Sequence, residues 1–397
     1  MRITFILPNL SLGGGTKVVL IYAQELVKAG HAVSLISPPP TKPTVFRKVT
    51  RWIRGEKGGV RSGMTDFFPE AESLDYRLLD QQRPVVDSDV PDGDVVIATW
   101  WETAEWVNQL SSSKGAKVYF VQHHEIFPYL PVERSRATYR MPLHKIVVAN
   151  WLREVMRDSY DDDDVVVVPN SVDHSQFFPV NRTKQPVPTI GILYSTAPSK
   201  GLEVSRAAVR MLRKTLPRVR ILYFGSERPR KSTRFEVDDV FHYRPPQNKI
   251  REIYSTCDAW LTASTSEGFN LPAIEAMACG TPVVSTRTGW PAESIVQYKN
   301  GVLTDVNDVP ALASGLEWVL TRSKNQWDEL SSAACKAVEL SSWHRSAKLF
   351  EAALINYATR PASAVRDGIA HEISILHSDQ KDTARNSPNR ISDRRIQ

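Results

Sequence analysis

Cysteine is scarce in this chain. Cys257, Cys279 and Cys335 are the three among 397 residues, and no metal-ligand spacing links them. An odd, scattered set argues against a disulfide framework and suits a reducing compartment. Long apolar runs are missing as well; none reaches the ~18 residues of a membrane-spanning helix. The first apolar stretch, Ile3 to Leu7, is stopped by Pro8 and is short for a signal-peptide core. The expected location is the cytoplasm. A nucleic-acid-binding motif is also missing, so no nucleic acid partner is expected. Gly13-Gly14-Gly15 is followed by Thr16, Lys17 and Val18. That string lacks the third glycine of G-x-G-x-x-G, which disfavours a dinucleotide-dependent dehydrogenase.

What is present is a soluble globular composition, 42% hydrophobic and 24% charged. The length allows about two to three domains. The net charge of +6 makes the surface mildly basic and compatible with phosphorylated ligands or anionic lipid. Ile3 to Leu7 reads as a buried strand, Val18 to Leu26 as a helix and Ala32 to Ile36 as a second strand. This is a βαβ unit with a glycine-rich first turn. Further buried strands are expected at Val95–Ala98, Val118–Val121, Lys145–Ala149 and Val165–Val168. A proline-rich linker spans about Phe177 to Pro188, and a second series follows. Its strands are Thr189–Tyr194, Arg220–Phe224, Ala259–Thr262 and Pro282–Ser285, with helices near 203–215, 249–255, 272–279 and 310–321. The expected fold is α/β, with two doubly wound Rossmann-like domains, residues 1–178 and 187–342, facing across a cleft. Residues 361–397 are polar and rich in Ser, Asp and Arg, the composition of a disordered tail.

The chemistry concentrates in Ser264 to Val284. The strand before it ends near Thr262, Glu267 and Gly268 lie in the loop, and Pro272 suits the first turn of the following helix. Gly268, Phe269, Asn270 and Leu271 then place backbone N–H groups at a helix N-terminus facing the cleft, where a phosphate binds. Glu275, one turn in, can accept two hydrogen bonds from a ribose diol, and Glu267 can do the same for sugar hydroxyls. A diphosphate site between two carboxylates fits a nucleotide sugar.

The whole string, from Glu267-Gly-Phe-Asn-Leu-Pro to Glu275-Ala-Met-Ala-Cys-Gly-Thr-Pro-Val-Val, resembles the signature of glycosyltransferase family 4. The resemblance implies the GT-B fold and transfer with retention of the anomeric configuration. It also implies a nucleotide-sugar donor and a saccharide or lipid-linked acceptor. Gly191-Ile-Leu-Tyr-Ser195 with Lys200-Gly201 resembles the family's first turn of the C-terminal domain. Lys200 matches the lysine of a diphosphate-binding basic pair, Leu193 stands where its arginine is expected, and Ser195 is a donor-binding candidate. Gly13 and Gly14, within Gly13 to Lys17, resemble the N-terminal glycine loop that meets the donor. Val167 to Asp173 resembles the family's interdomain approach, with Ser171 where glycine is more usual. His123 or His124, in Gln122-His-His-Glu125, matches a histidine near the donor sugar and reacting centre; the sequence does not choose between them. In relatives a C-terminal helix, here about 343–360, crosses back to the first domain. No cofactor and no metal are expected, since the histidines lack a third ligand and Asp161 to Asp164 reads as a solvated loop.

Two regions bear on the acceptor. Trp100-Trp101-Glu102 can line the cleft, where aromatic faces stack on sugars, or can pack in the core. Residues 42–64 hold Lys42, Arg47, Lys48, Arg51, Arg54, Lys57 and Arg61 against Glu56, with Phe46, Val49, Trp52 and Ile53 as an apolar face. Such a segment can rest peripherally on an anionic membrane or stay a solvated loop. The competing functions are a GT-B-like epimerase or phosphorylase, and a non-catalytic basic binding protein.

Overall fold

The computed structural model describes residues 1–9, 13–39, 74–229 and 235–359. The basic segment 42–64 and the tail 361–397 lie outside the described residues.

Two parallel sheets organise the chain. The first holds β1 (Arg2–Ile6), β2 (Ala32–Ser37), β3 (Asp75–Leu78), β4 (Val95–Ala98), β5 (Ala116–Val121), β6 (His144–Val147) and β7 (Val165–Val167), in the order β3-β2-β1-β4-β5-β6-β7. Its helices are α1 (Gly14–Lys28), α2 (Trp101–Gln109), α3 (Val132–Thr138) and α4 (Asn150–Tyr160). The second sheet holds β8 (Thr189–Leu193), β9 (Arg220–Gly225), β10 (Val240–Tyr243), β11 (Ala259–Thr262), β12 (Val283–Thr286) and β13 (Gly301–Thr304), in the order β10-β9-β8-β11-β12-β13. With it run α5 (Leu202–Leu212), α6 (Gln247–Thr256), α7 (Leu271–Ala278), α8 (Gly289–Ser294), α9 (Val309–Leu320), α10 (Lys324–Val338) and α11 (Trp343–Thr359).

The central strands are apolar because both faces are covered: β4 and β7 are buried at every position. The edge strand β3, Asp-Tyr-Arg-Leu, is largely exposed, so it has no apolar run by which sequence could reveal it. β10 is the corresponding edge of the second sheet and is only half-buried. The short β13 opens on glycine and is likewise invisible to propensity.

Helix α11 packs on the first sheet. Phe350 stacks on Tyr22 at 4.5 Å and meets Phe120 edge-on at 5.1 Å. His31 Nε2 lies 2.7 Å from Glu351 Oε1, and the Ser346 hydroxyl donates to Pro169 O at 2.7 Å. Ser171, in the segment leading to the second sheet, lies 2.8 Å from Ser346 Oγ. The run Asp161 to Asp164 is only partly solvated. Asp162 Oδ2 lies 2.5 Å from Nζ of the buried Lys145, a partner that a buried ammonium requires. Among the described residues no helix is long and apolar enough to cross a membrane.

Candidate active site

A cavity of about 590 Å³ opens at the carboxyl ends of the strands of both sheets. That is where open α/β sheets bind ligands, because the loops there are free to vary and helix N-termini converge. From the first sheet it takes Pro8, Gly13, Gly14, Trp100, Gln122 and His123; from the second, Lys200, Glu267, Gly268, Phe269, Asn270 and Leu271.

Helix α7 carries much of the second side. It is buried from Ala273 to Ala278, so Glu275 is a carboxylate on an otherwise apolar helix, 8% exposed. An unpaired charge there would be costly. Two partners hold it: Lys17 Nζ donates to Oε1 at 2.9 Å, and the Tyr254 hydroxyl donates to Oε2 at 3.0 Å. Asn270 enters the helix in a left-handed conformation, φ 84°, tolerable for a short polar side chain, and its Nδ2 donates to Thr262 Oγ1. At the start of α7 the Ala273 N–H donates to Asn270 O at 3.1 Å and Pro272 has no N–H, so the N–H that a helix start leaves without an intrahelical partner is that of Leu271, which lines the cavity.

Glu267 is equally enclosed, 6% exposed. Lys200 Nζ donates to both its oxygens at 2.7 Å, and the Ser264 hydroxyl donates to Oε1 at 2.8 Å. Lys200 reaches it because Gly201, φ 61°, lets the loop close on β11: a Cβ there would lie 1.9 Å from Ala263 O. The two carboxylates predicted from sequence thus each hold a lysine.

Geometry gives the two histidines different surroundings. His123 lines the cavity, its Nε2 lies 3.2 Å from Ser266 Oγ, and its ring meets Phe127 and Trp151. His124 turns the other way, its Nε2 2.7 Å from the Tyr160 hydroxyl, and is not among the cavity-lining residues. Burial holds the His123 imidazole below its ordinary pKa. Burial and the neighbouring His123 push His124 down to about 4. Both rings are therefore neutral at pH 7. His123→Ala is expected to lower activity about 10-fold, the value of one hydrogen-bonding group lost from a buried polar site. His124→Phe is expected to change melting temperature but not turnover. Because His123 titrates below its usual range, turnover should be flat from pH 7 to 8; a histidine-like inflection there would contradict this.

Ser195 is not brought to this cavity. It lines a separate groove with Thr196, Glu203 and Arg206, and its hydroxyl accepts from Ala197 N at 3.2 Å. Leu193 lines a small pocket beneath Lys200 and Glu267. The tryptophan pair is divided: Trp100 and Glu102 face the cavity, while Trp101 is buried beneath the Arg134 guanidinium. Glu125 forms part of the cavity wall, accepts from Trp101 N at 2.8 Å, and is held well above the carboxylate range by burial.

Several residues joining the two halves carried no sequence signal. Trp151 Nε1 donates to Gly268 O at 2.9 Å, and its backbone N–H donates to Glu293 Oε1 at 2.9 Å. Lys17 did carry one. A cation in a first helical turn opposes the helix dipole, so an anion should face it, as Glu275 does.

Comparison with known proteins agrees with this geometry. The family model "Glycosyltransferase Family 4" matches residues 12–176, and "Glycosyl transferases group 1" matches residues 173–336. A sucrose-phosphate synthase from Thermosynechococcus elongatus superposes with a TM-score of 0.67 at 17% identity, covering 89% of this chain and 98% of that one. Anabaena HepE, solved in complex with UDP-glucose, gives 0.69 at 15% identity over 90% of this chain and 100% of that one. Two Rossmann-like domains with a site at their facing strand ends define the GT-B architecture. Within that class the chain belongs to glycosyltransferase family 4. A D-inositol 3-phosphate glycosyltransferase of Pseudarthrobacter chlorophenolicus is 29% identical over 208 residues, 48% of this chain and 49% of the relative. The chain thus spans about half the length of that curated relative.

Proposed function

We propose that this protein transfers a sugar from a nucleoside diphosphate sugar to a hydroxyl of a saccharide or lipid-linked acceptor, with retention at the anomeric carbon. The observation that carries the reading is the pair of buried, lysine-bound carboxylates, Glu267 and Glu275, flanking the start of α7. Ribose hydroxyls donate to Glu275, donor-sugar hydroxyls donate to Glu267, and the diphosphate meets the N–H groups of Gly268 to Leu271. The nucleotide complex of HepE supports a UDP-type donor by likeness of fold.

The C1–O bond to the β-phosphate breaks, and its electron pair moves to the phosphate oxygen. The acceptor oxygen bonds to C1 on the same face, and the acceptor proton goes to the departing phosphate. Glu267 orients the sugar rather than attacking it. Lys200 and the backbone N–H groups take the developing negative charge, and neutral His123 accepts or donates one hydrogen bond at the sugar. On the acceptor side, Trp100, Phe127 and Tyr129 present aromatic faces and Glu102 an acceptor of hydroxyl hydrogen bonds. Those groups suit a sugar or another polyol, as in polysaccharide or glycolipid synthesis. Hexosyl or deoxyhexosyl transfer (EC 2.4) is the reaction class.

The test is a melting-temperature screen of UDP, GDP and dTDP with their sugars, with and without EDTA. A ligand of the folded state at 100 times its Kd adds about 2.7 kcal/mol, a shift of several degrees. We expect one base to shift the midpoint, EDTA to leave the shift intact, and Glu275→Ala to abolish it. Proton NMR of the product formed from the matching sugar then reads the anomeric configuration. No shift with any nucleotide at millimolar concentration would favour the binding-protein alternative. Turnover that needs no sugar acceptor would favour the epimerase.

A further inference from the structure

Lys200 is the one cation among the described residues lining the cavity, yet a nucleoside diphosphate brings more than one negative charge. Just behind the glycine loop stands a second ammonium. Lys17 lies in the first turn of α1, after Gly13 to Gly15, and reaches Glu275, 258 positions away in sequence, at 2.9 Å. Its side chain is 20% exposed and its Nζ sits 5.5 Å over the Phe177 ring.

We propose that Lys17 is the second cation of the donor site, held on Glu275 until the donor arrives and then passed to the diphosphate. The assignment rests on the donor reading above. Glu275 has two oxygens: Tyr254 holds one and Lys17 the other. A ribose diol that donates to this carboxylate competes with the ammonium for the same lone pairs. Once displaced, Lys17 is a cation at a helix N-terminus with no anion to offset it, which the dipole disfavours. The nearest new anion is the diphosphate at the start of α7, the helix that carries Glu275 itself one turn further in. A four-carbon stem with rotatable bonds makes the exchange sterically simple. The carboxylate is never left as an uncompensated buried charge, because lysine neutralises it before binding and hydroxyl donors satisfy it afterwards. As the C1–O bond breaks, the electron pair arriving on the phosphate oxygen is met by Lys200 from the second half and Lys17 from the first.

The exchange gives Lys17 opposite effects on two ligands. It competes with the ribose of a nucleoside but attracts the phosphates of a nucleoside diphosphate. The experiment is titration calorimetry of the full chain, as wild type, Lys17→Met and Lys17→Arg, with UDP and uridine, with GDP and guanosine, and with dTDP and thymidine. For the base that wild type binds, Lys17→Met should weaken the diphosphate about 10- to 100-fold, the value of one charge-assisted hydrogen bond. The same variant should bind the bare nucleoside as tightly as wild type or more tightly, which also shows that its site is folded. Lys17→Arg should keep most of the diphosphate affinity. Equal tightening of both ligands would make Lys17 a mere guard of Glu275, and equal weakening of both would make it structural; either overturns the proposal. Wild-type binding with no change in Lys17→Met overturns this assignment alone. Failure of wild type to bind any of the three diphosphates overturns the donor reading and this assignment with it.

Discussion

Lys200→Met is expected to lower kcat by about 10²- to 10³-fold at saturating donor, the scale on which a preorganised donor to a developing anion acts. The ammonium donates to both oxygens of a buried carboxylate at 2.7 Å, so in the proposed reaction it is held in place before the leaving group departs and needs no reorganisation. The same substitution should destabilise the fold, because Glu267 then keeps the Ser264 hydroxyl, at 2.8 Å, in place of three side-chain donor contacts. Breaking a buried pair from one side costs about 3–5 kcal/mol; the 31% exposure of the lysine side chain places this case at the low end. The double variant Lys200→Met, Glu267→Gln separates the two effects. It should recover most of the melting temperature without recovering turnover. Wild-type kcat in Lys200→Met would remove the lysine from the chemistry.

Gly268→Ala is expected to cost about 10²-fold or more in kcat/KM, by displacing reacting groups rather than by removing one. A Cβ at this position would fall 1.8 Å from Gln122 O and 3.3 Å from His123 Cα. Both are main chain of the opposite half, with no flexible side-chain end to give way, so the loop after β5 must move. That loop carries His123, and the Gly268 carbonyl accepts from Trp151, so the two halves would separate at the cavity that His123 and Gly268 line. The check is kcat/KM beside hydrogen exchange. Protection should fall around residues 122–123 and 151 and stay unchanged in the core strands. Near-normal kcat/KM would show that the approach of Gly268 to Gln122 is not required during turnover.

Much of the fold is legible because parallel strands buried on both faces leave dense apolar runs. Val95–Ala98 and Ala259–Thr262 are strands at the residues expected from sequence. The missing strands fail for two reasons: β3 and β10 are edges, and an edge strand with an exposed face needs no apolar pattern, while β13 is a buried strand of four residues that opens on glycine. The boundaries of α7, Leu271–Ala278, follow from Pro272 at its start and Gly280 just past its end, both local devices. The histidine pair shows the opposite case. His123 and His124 are adjacent and chemically identical, and only packing against Trp151 on one side and Tyr160 on the other gives them different surroundings.

Local chemistry along the chain is enough for the βα alternation, for the helix start that can hold a phosphate, and for the two acids around it. These depend on neighbours within a turn or a strand. The lysine partners of those acids come from other parts of the chain, Lys200 from 67 positions before Glu267 and Lys17 from 258 before Glu275. Lys17 meets Glu275, Gly268 passes under Gln122, and Ser195, expected at the donor, opens into another groove. No periodicity encodes such meetings, because they arise only when the two sheets are brought face to face. The strand ends then set which loops share the cleft.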